Sequence, residues 1–284
     1  MDSAALTRVL TYVQAHLDGD LSAGALAAVA GYSQAHFARR FVGAMGETPG
    51  RYAARLRLER AALRLILLDD GVLDVALSCG FPCHETFSRA FRRRFGVSPR
   101  EFRARGRLPA ADAQELPQRV DAAPPAALSS TVIRTLQPMS LAFIRHTGPY
   151  EDVPVGSWDR LVAWARRRDV PAPHVLLGVA HDAPGITAPE KLRFDAALRV
   201  PAEFRSGRTV GWQRFAGGLF AFTVSVGPFA ALPAAYAEIF RRLRKDRSLE
   251  VLGVPCLEFY RVNRIVPDLA IVETEIAIPV RRRR

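Results

Sequence analysis

Apolar residues recur every three to four positions from Leu6 to about Arg107, in short segments separated by Gly, Pro and Asp. This spacing predicts a series of amphipathic helices. From Thr131 onward the pattern changes to strand-like stretches, the last of which alternates apolar and polar positions. Two helical segments interrupt these strands, near 156–167 and near 233–243. The pattern therefore predicts a multidomain protein, with an all-α domain followed by an α+β domain.

The two predicted domains are separated by a segment of different composition. Residues 109–130, PAADAQELPQRVDAAPPAALSS, are rich in Ala and Pro and contain few large apolar side chains. Such a segment is typical of a linker. We therefore predict a helical domain over 1–108, a linker over 109–130 and an α+β domain over 131–284.

The helical domain contains an internal repeat. The segments 27–49 and 76–99 share a small residue followed four positions later by Gly, then Phe-x3-Phe, then a distal Gly and Pro. A helix, a glycine that can adopt a left-handed turn and a second helix together form a helix-turn-helix unit. The corresponding pairs are Ala27 and Ala76, Gly31 and Gly80, Phe37 and Phe87, Arg39 and Arg89, Phe41 and Phe91, Gly46 and Gly96, and Pro49 and Pro99.

With its closing stretch CGFPCHETFSRAFRRRFGVSPREFR, this region resembles the AraC/XylS family of transcription regulators over about residues 3–107. The family joins two helix-turn-helix motifs by a long helix, here Pro49 to about Asp69, with Leu56, Ala62, Leu63 and Ile66 as expected inward residues. The resemblance implies duplex DNA and RNA polymerase as partners. Two recognition helices on one chain would read an asymmetric operator across two successive major grooves.

Helical spacing divides each recognition helix into a buried and an outward face. Phe37 and Phe41 lie four residues apart and share one face, as do Phe87 and Phe91 in the second copy. The opposite face would meet DNA, where Arg can pair with guanine and Glu can accept from the cytosine amino group. The predicted DNA contacts are Ala35, His36 and Arg39 on the first helix, Glu85, Ser88, Arg89, Arg92 and Arg93 on the second, and His84 and Thr86 as phosphate contacts. Any exposed Arg could instead be a solvated charge, and either His could cap or pack.

The second half of the chain contains a weaker internal repeat. IRHTGPYEDVPVGSWDRLVAWAR at 144–166 and VSVGPFAALPAAYAEIFRRLR at 224–244 both consist of a strand, a Gly-Pro-aromatic turn and an amphipathic helix. The turn glycines, Gly148 and Gly227, are 79 positions apart. Two such units suggest a pseudo-twofold domain whose paired sheets curve around a central cleft.

With LRFDAALRVP, CLEFY and TEIAIPV, residues 131–280 resemble the GyrI-like effector-binding domain. In that family a pocket glutamate among aromatic rings receives lipophilic, often cationic, compounds. The resemblance assigns this role to Glu258, with Tyr260 on the same strand face. Further expected pocket residues are Tyr150, Phe194, Trp212 and Phe229.

Alternatives to an effector pocket remain open from sequence. Aromatic residues in strands are often ordinary core residues. Glu273 and Glu275 alternate in a C-terminal strand, and we expect both side chains to face solvent. Some GyrI-like proteins resemble small hydrolases that use a glutamate and a tyrosine, which here would be Glu258 and Tyr260. Ligand sequestration is a further alternative. Ligand binding without turnover is the simpler hypothesis, so we assign no catalytic residue, metal or cofactor.

The 284 residues include 40 basic and 28 acidic side chains, a net charge of +12, which favours a polyanionic partner. Residues 1–108 contain 16 basic and 10 acidic residues, and residues from 131 onward contain 23 and 15. Because the excess is spread over both halves, charge alone could also fit a DNA-binding protein without sequence preference. The basic run Arg281 to Arg284 is most simply a solvated tail, with phosphate contact as the alternative.

Three cysteines, Cys79, Cys83 and Cys256, lack paired metal ligands and are expected to be buried thiols in a reducing compartment. No window approaches the roughly 18 apolar residues of a spanning helix, and Met1-Asp2-Ser3 opens without signal-peptide features. We therefore expect a cytoplasmic protein without a membrane partner. The oligomeric state is left open.

Overall fold

The computed structural model of the chain describes residues 1–105, 127–202, 204, 210–253, 255–261 and 272–283. They fall into two compact units, one containing residues 1–105 and the other most of those from 127 onward. Most of the predicted linker lies outside the described residues, but its positions Ala127–Leu128 form a short strand. No helix of the described residues is long and apolar enough to cross a bilayer.

The N-terminal unit is helical, as the 3.6-residue pattern predicts. The connecting helix, α4, begins at Pro49, which suits the first turn because its nitrogen needs no intrahelical partner there. Helices α1, α2, α4 and α7 start at capping side chains (Asp2, Ser22, Thr48 and Ser98) that each accept a backbone N–H bond from three residues on. Within residues 1–105 the helices are α1 (Ser3–Ala15), α2 (Ala23–Ala30), α3 (Gln34–Met45), α4 (Pro49–Leu67), α5 (Val72–Ser78), α6 (His84–Phe95) and α7 (Pro99–Ala104).

The two helix-turn-helix units use the same turn. Gly31 and Gly80 have left-handed φ values of 74° and 79°. The next residue in each copy donates its backbone N–H to the carbonyl of the small residue five positions back, from Tyr32 to Ala27 at 3.0 Å and from Phe81 to Ala76 at 3.1 Å. The sequence prediction of two helix-turn-helix units is confirmed. Of the inward residues predicted on α4, Leu56, Ala62 and Leu63 are buried, and Ile66 is half-buried.

The C-terminal unit is α+β, also as predicted. Helices α8 and α9 each follow a long strand and a single 3-10 turn, and two longer strands follow each helix, with one short strand added directly after the second helix. The elements are β1 (Ala127–Leu128), β2 (Val132–Leu136), β3 (Met139–Thr147), α8 (Gly156–Arg166), β4 (Leu176–Ala180), β5 (Arg193–Val200), β6 (Gly211–Phe215), β7 (Gly218–Gly227), α9 (Leu232–Lys245), β8 (Leu249–Val251), β9 (Cys256–Tyr260) and β10 (Val272–Arg282).

The described strands join in one sheet with the central order β7-β10-β9-β4-β5-β3. The two halves are therefore parts of a single sheet, rather than the separate paired sheets expected from sequence. They meet where β4 pairs antiparallel with β9, and Gly178 lies opposite Glu258.

Strand register confirms the duplication. In the first half Thr147 on β3 faces Arg193 on β5, and in the second Val226 on β7 faces Glu273 on β10. Val226 follows Thr147 by the same number of residues that separates Gly148 from Gly227, and Glu273 follows Arg193 by one residue more. The two pairs therefore occupy equivalent positions in the two halves. The repeat seen in the sequence is therefore a structural pseudo-twofold, with its axis between β4 and β9.

The basic run near the C-terminus is exposed, as expected of solvated side chains, but over Arg281–Arg283 it is held in place rather than forming a tail, and Arg284 lies outside the described residues. Arg281 and Arg282 belong to β10 and pair with β8, where they face Glu250 and Leu249. Among the cysteines, Cys79 and Cys256 are buried, but Cys83 is only half-buried.

The two turn glycines should differ in their tolerance of a side chain. An L-residue in the left-handed region costs roughly 1–2 kcal/mol. A Cβ at Gly31 would meet nothing within 4 Å, whereas a Cβ at Gly80 would lie 2.7 Å from the Leu17 carbonyl oxygen and 2.8 Å from the Arg57 Nε. We expect Gly80→Ala to lower the free energy of unfolding at least twice as much as Gly31→Ala. Urea unfolding followed by helical circular dichroism measures both, and equal losses would contradict the clash.

Candidate DNA-binding and ligand-binding sites

The recognition helices α3 and α6 are each anchored by two phenylalanines. Phe37, Phe41, Phe87 and Phe91 are fully buried. Within each helix the paired rings lie 5.3–5.5 Å apart, so the opposite face points away from the core. This arrangement supports the division of each helix into an inward and an outward face.

On α6 most of the predicted contacts are exposed. His84, Glu85, Arg89, Arg92 and Arg93 are exposed side chains. Thr86 and Ser88 are half-buried; Thr86 lies 3.2 Å from the Cys83 sulfur, and Ser88 lies 3.4 Å from the His84 Nε2. Hydrogen bonding to its own backbone N–H lowers the pKa of Glu85, which keeps this carboxylate charged.

On α3 the predicted face is less polar. Ala35 and Arg39 are exposed, while His36 is half-buried and its ring meets Tyr32 edge-on at 4.9 Å. The sequence reasoning missed Gln34, an exposed polar residue at the first position of α3. Gln34 is equivalent to His84 in the repeat, and applying the 50-residue offset to His84 would have identified it.

A buried ion-pair network ties both helix-turn-helix units to α4. Arg55 on α4 donates to Glu47, just beyond α3, at 2.8 Å and to Glu59 at 3.2 Å. Glu59 is 5% exposed and also accepts from Arg94, in the last turn of α6, at 3.3 Å. Removing one member of a buried pair leaves an uncompensated charge, at a cost of about 3–5 kcal/mol. The network therefore links the ends of α3 and α6 through one rigid helix.

In the C-terminal unit, Glu258 lies on β9 at the pseudo-twofold axis. Although it is only 6% exposed, it accepts hydrogen bonds from the hydroxyls of Tyr236 on α9 at 2.9 Å and Tyr260 at 2.6 Å. Burial raises the pKa of Glu258, and the two hydroxyl donors offset part of that rise. Burial, together with the neighbouring carboxylate, raises the pKa of both tyrosines well above the usual value, so they remain donors.

Aromatic rings surround this carboxylate. Tyr260 meets Phe229 edge-on at 5.8 Å and Trp158 at 5.4 Å. The chain of rings continues from Trp158 to Phe194 at 6.2 Å and from Phe194 to Tyr150 at 5.7 Å. We call this group, with Glu258 and Tyr236, the glutamate cage. It brings together five of the six residues predicted from sequence.

Trp212 is the exception. It lies on β6, which is four strand positions from β9, the strand that carries Glu258, and two from β5, which carries Phe194. Its place in the pocket therefore stays a prediction.

Three members of the site were missed. Trp158 comes from α8 and Tyr236 from α9, whereas the prediction considered aromatics in strands and turns. Gly178 on β4 leaves room for the cage, because a Cβ there would lie 2.3 Å from Phe194 and 2.5 Å from the Tyr260 hydroxyl. An inward-facing glycine in a strand of large apolar residues is the signal that could have marked this position.

Comparisons with known proteins agree with both halves. A helix-turn-helix domain family matches residues 26–105, and a GyrI-like small molecule binding domain family matches residues 130–281. Among curated relatives, the right origin-binding protein of Escherichia coli K12 and the transcriptional regulator Rob of Salmonella typhimurium are each 38% identical over 104 residues, which is 36% of this chain and 36% of theirs. The regulator MtrA of Neisseria gonorrhoeae is 40% identical over 81 residues, 28% of this chain and 27% of its own. The chain thus spans about a third of the length of these relatives.

Solved structures cover parts of the chain. A transcriptional regulator with an AraC-type DNA-binding domain from Chromobacterium violaceum is 31% identical, covers 37% of this chain and 94% of its own, and has a TM-score of 0.35. The EcmrR C-terminal domain is 15% identical, covers 54% of this chain and 98% of its own, and has a TM-score of 0.42. Since the GyrI-like match spans more than half of the residues, the chain belongs to the GyrI-like small molecule binding domain family, here preceded by an AraC-type helix-turn-helix domain.

Proposed function

We propose that this protein is a transcription regulator that binds a specific duplex operator through its N-terminal unit and a small lipophilic cation through its C-terminal unit. The observation that carries the proposal is the pairing of two different sites in one chain. One is a pair of exposed recognition helices fixed to a common core, and the other is a buried carboxylate enclosed by aromatic rings.

Rigid linkage supports sequence-specific DNA binding. Because Glu47, just beyond α3, and Arg94 on α6 both pair with residues of α4, the two helices would enter DNA as one body with a fixed separation. Such a body reads an asymmetric site across two adjacent major grooves, and any mismatch of spacing is taken up by bending the DNA. On this proposal α6 supplies most of the base readout, since it presents Glu85, Arg89 and Arg92 where α3 presents Ala35 and Arg39.

The glutamate cage supports a cationic ligand. A carboxylate that is nearly inaccessible to water gains a strong partner when a bulky cation replaces its own tyrosine donors. Ring faces add cation–π attraction, and burial of the ligand's apolar surface supplies the larger part of the affinity. Tyr150, Tyr236 and Phe229 are partly exposed, so a ligand would reach Glu258 by displacing side chains on this outer side.

Coupling between the sites requires the ligand to favour one of two functional states. We propose that displacement of Tyr236 is the local event, because this residue connects α9 to Glu258 directly. Regulation by recruiting or blocking RNA polymerase would follow from operator occupancy.

Arg39 and Arg89, which occupy equivalent positions of the two recognition helices, are each expected to contact a base. Selection of bound sequences from random duplexes at physiological salt should enrich one asymmetric site that spans two major grooves. We expect Arg39→Ala and Arg89→Ala each to relax the preference at one base pair by about 5- to 150-fold, equal to the 1–3 kcal/mol of a bidentate contact. Arg166→Ala and Arg167→Ala, exposed changes at the end of α8, are the matched controls. Absence of any enriched motif would reject sequence-specific regulation.

The role of Glu258 should depend on ligand charge. We expect Glu258→Gln to weaken binding of lipophilic cations at least tenfold while leaving neutral ligands of similar shape nearly unaffected. Glu273→Gln, on the neighbouring strand and half-exposed, is the matched control. Fluorescence titration measures affinity, and recovery of intact ligand afterwards distinguishes binding from hydrolysis. Equal losses for neutral and cationic ligands would contradict a charge-selective site.

The raised pKa of Glu258 gives this site a pH dependence. As the pH falls through that pKa the carboxylate takes up a proton, so affinity for a permanently charged cation should decrease, and Glu258→Gln should remove the dependence. Because the buried charge is unfavourable in the folded state, the same substitution should not lower the unfolding temperature. A pH profile that persists in Glu258→Gln would assign the titration to another group.

Gly178 should control the space of the cage. We expect Gly178→Ala to move the Tyr260 hydroxyl or the Phe194 ring and to reduce cation affinity at least tenfold, with the operator preference unchanged in the absence of ligand. Gly156→Ala, at the start of α8 with nothing within 4 Å of the added Cβ, is the control. Unchanged affinity in Gly178→Ala would show that these two rings do not define the ligand space.

A further inference from the structure

A basic groove lies at the end of β10, in the unit that carries the glutamate cage. It has a volume of about 580 Å³ and is lined by Glu250, Arg281, Arg282 and Arg283. We propose that this groove binds the phosphate backbone of duplex DNA, so that the C-terminal unit adds a second contact that is independent of base sequence. This proposal rests on the proposed function in one respect, because that function specifies which DNA, the operator, is bound next to the groove.

Backbone pairing fixes the basic run in place. Arg281 and Arg282 pair with β8, and the Arg283 backbone N–H donates to the Ser248 carbonyl at 2.9 Å. Residues i and i+2 on an extended strand point to the same side and are about 7 Å apart. Arg281 and Arg283 therefore project together from a rigid edge, and little conformational entropy of the backbone is lost when an anion binds.

The lining of the groove carries excess positive charge. Glu250 is the single carboxylate among the four lining residues, and the guanidinium groups of Arg281 and Arg283 both approach it. The lining thus contains three guanidinium groups and one carboxylate. A guanidinium presents several N–H donors in a fixed fork, which is the geometry that proteins use to recognise phosphate.

Basic residues at the end of α9 extend this surface. Arg244, Lys245 and Arg247 are exposed, and the segment they belong to runs directly into β8. Asp246 interacts electrostatically with Arg282 and accepts from Ser248, which places this segment beside the groove. Three further basic residues therefore belong to the segment next to the groove, where an extended phosphate backbone could meet them and a single small anion could not.

Duplex DNA fits this surface better than a lipophilic effector does, because every side chain that lines the groove is charged and three of the four are arginines. Both units belong to one chain, so DNA that is bound by the recognition helices is present at high effective concentration for a weak additional contact. An acidic protein surface, such as one on RNA polymerase, is the alternative occupant. The two are distinguished by the salt dependence of DNA affinity, which the groove changes only if it binds DNA.

The test compares two duplexes with the full-length chain. One duplex is a minimal operator of about 20 base pairs, which covers two helical turns, and the other adds flanks of about the same length on each side. Affinity is measured as a function of salt concentration for the wild type and for the triple variant Arg281→Ala/Arg282→Ala/Arg283→Ala. Each phosphate neutralised should steepen the logarithmic salt slope by about 0.9.

We expect the wild type to show a steeper slope on the long duplex by about 1–3, and the triple variant to lose this increment while binding the minimal operator as the wild type does. The variant Arg281→Lys/Arg282→Lys/Arg283→Lys should keep most of the added salt slope on the long duplex, and Glu250→Gln should increase it. Arg166→Ala/Arg167→Ala/Arg199→Ala, an equal change of charge at exposed positions outside the groove, should retain it.

Identical slopes for wild type and triple variant on the long duplex would overturn the inference, as would loss of the increment in the control triple variant alone. Unchanged slopes together with lost binding to RNA polymerase would reassign the groove to a protein partner and also overturn it. Failure of the wild type to prefer its operator rejects the proposed function instead, because the slopes on the long duplex still report on the groove. An unchanged unfolding temperature excludes misfolding of the variants.

Discussion

The antiparallel pairing of β4 with β9 is the contact on which the C-terminal unit depends. It joins two strand–helix halves into one sheet and places Gly178 opposite Glu258 at the pseudo-twofold axis. The asymmetry of this one pair creates the site. A residue with no side chain on one strand leaves the space in which rings from both halves can surround a carboxylate on the other.

The N-terminal unit uses duplication differently. Both copies are attached to α4: the ring of Phe41 meets Tyr52 of α4 edge-on at 5.6 Å, and the ion pairs of Arg55 and Glu59 reach Glu47 and Arg94. A buried ion pair adds little net stability because its desolvation is costly, but it tolerates few alternative geometries. Its consequence here is a fixed position of α3 relative to α6, which the proposed binding of both helices to two major grooves requires.

Much of this architecture was predictable because it follows from local rules. The periodicity separated helices from strands, and the repeated spacing of small residue, glycine and phenylalanines identified both helix-turn-helix turns. The second repeat correctly indicated the pseudo-twofold. Glu258 and four of the five aromatic residues predicted with it come together, Trp212 stays a prediction, and Trp158, Tyr236 and Gly178 were missed. The missed residues come from helices and from the opposite half, and their approach depends on strand order and on the pairing of β4 with β9.

The class of each half and the two turns could be predicted because they depend on residue types at short, fixed spacings, whereas Glu258 was assigned through the resemblance to the GyrI-like family. The fold was needed to show which aromatic rings meet Glu258, that Glu47 and Arg94 converge on α4, and that the arginines near the C-terminus form part of a sheet. Burial and pairing act between residues that are distant in the chain. Their energies depend on the arrangement of whole strands and helices, whereas local periodicity specifies only the face on which each residue lies.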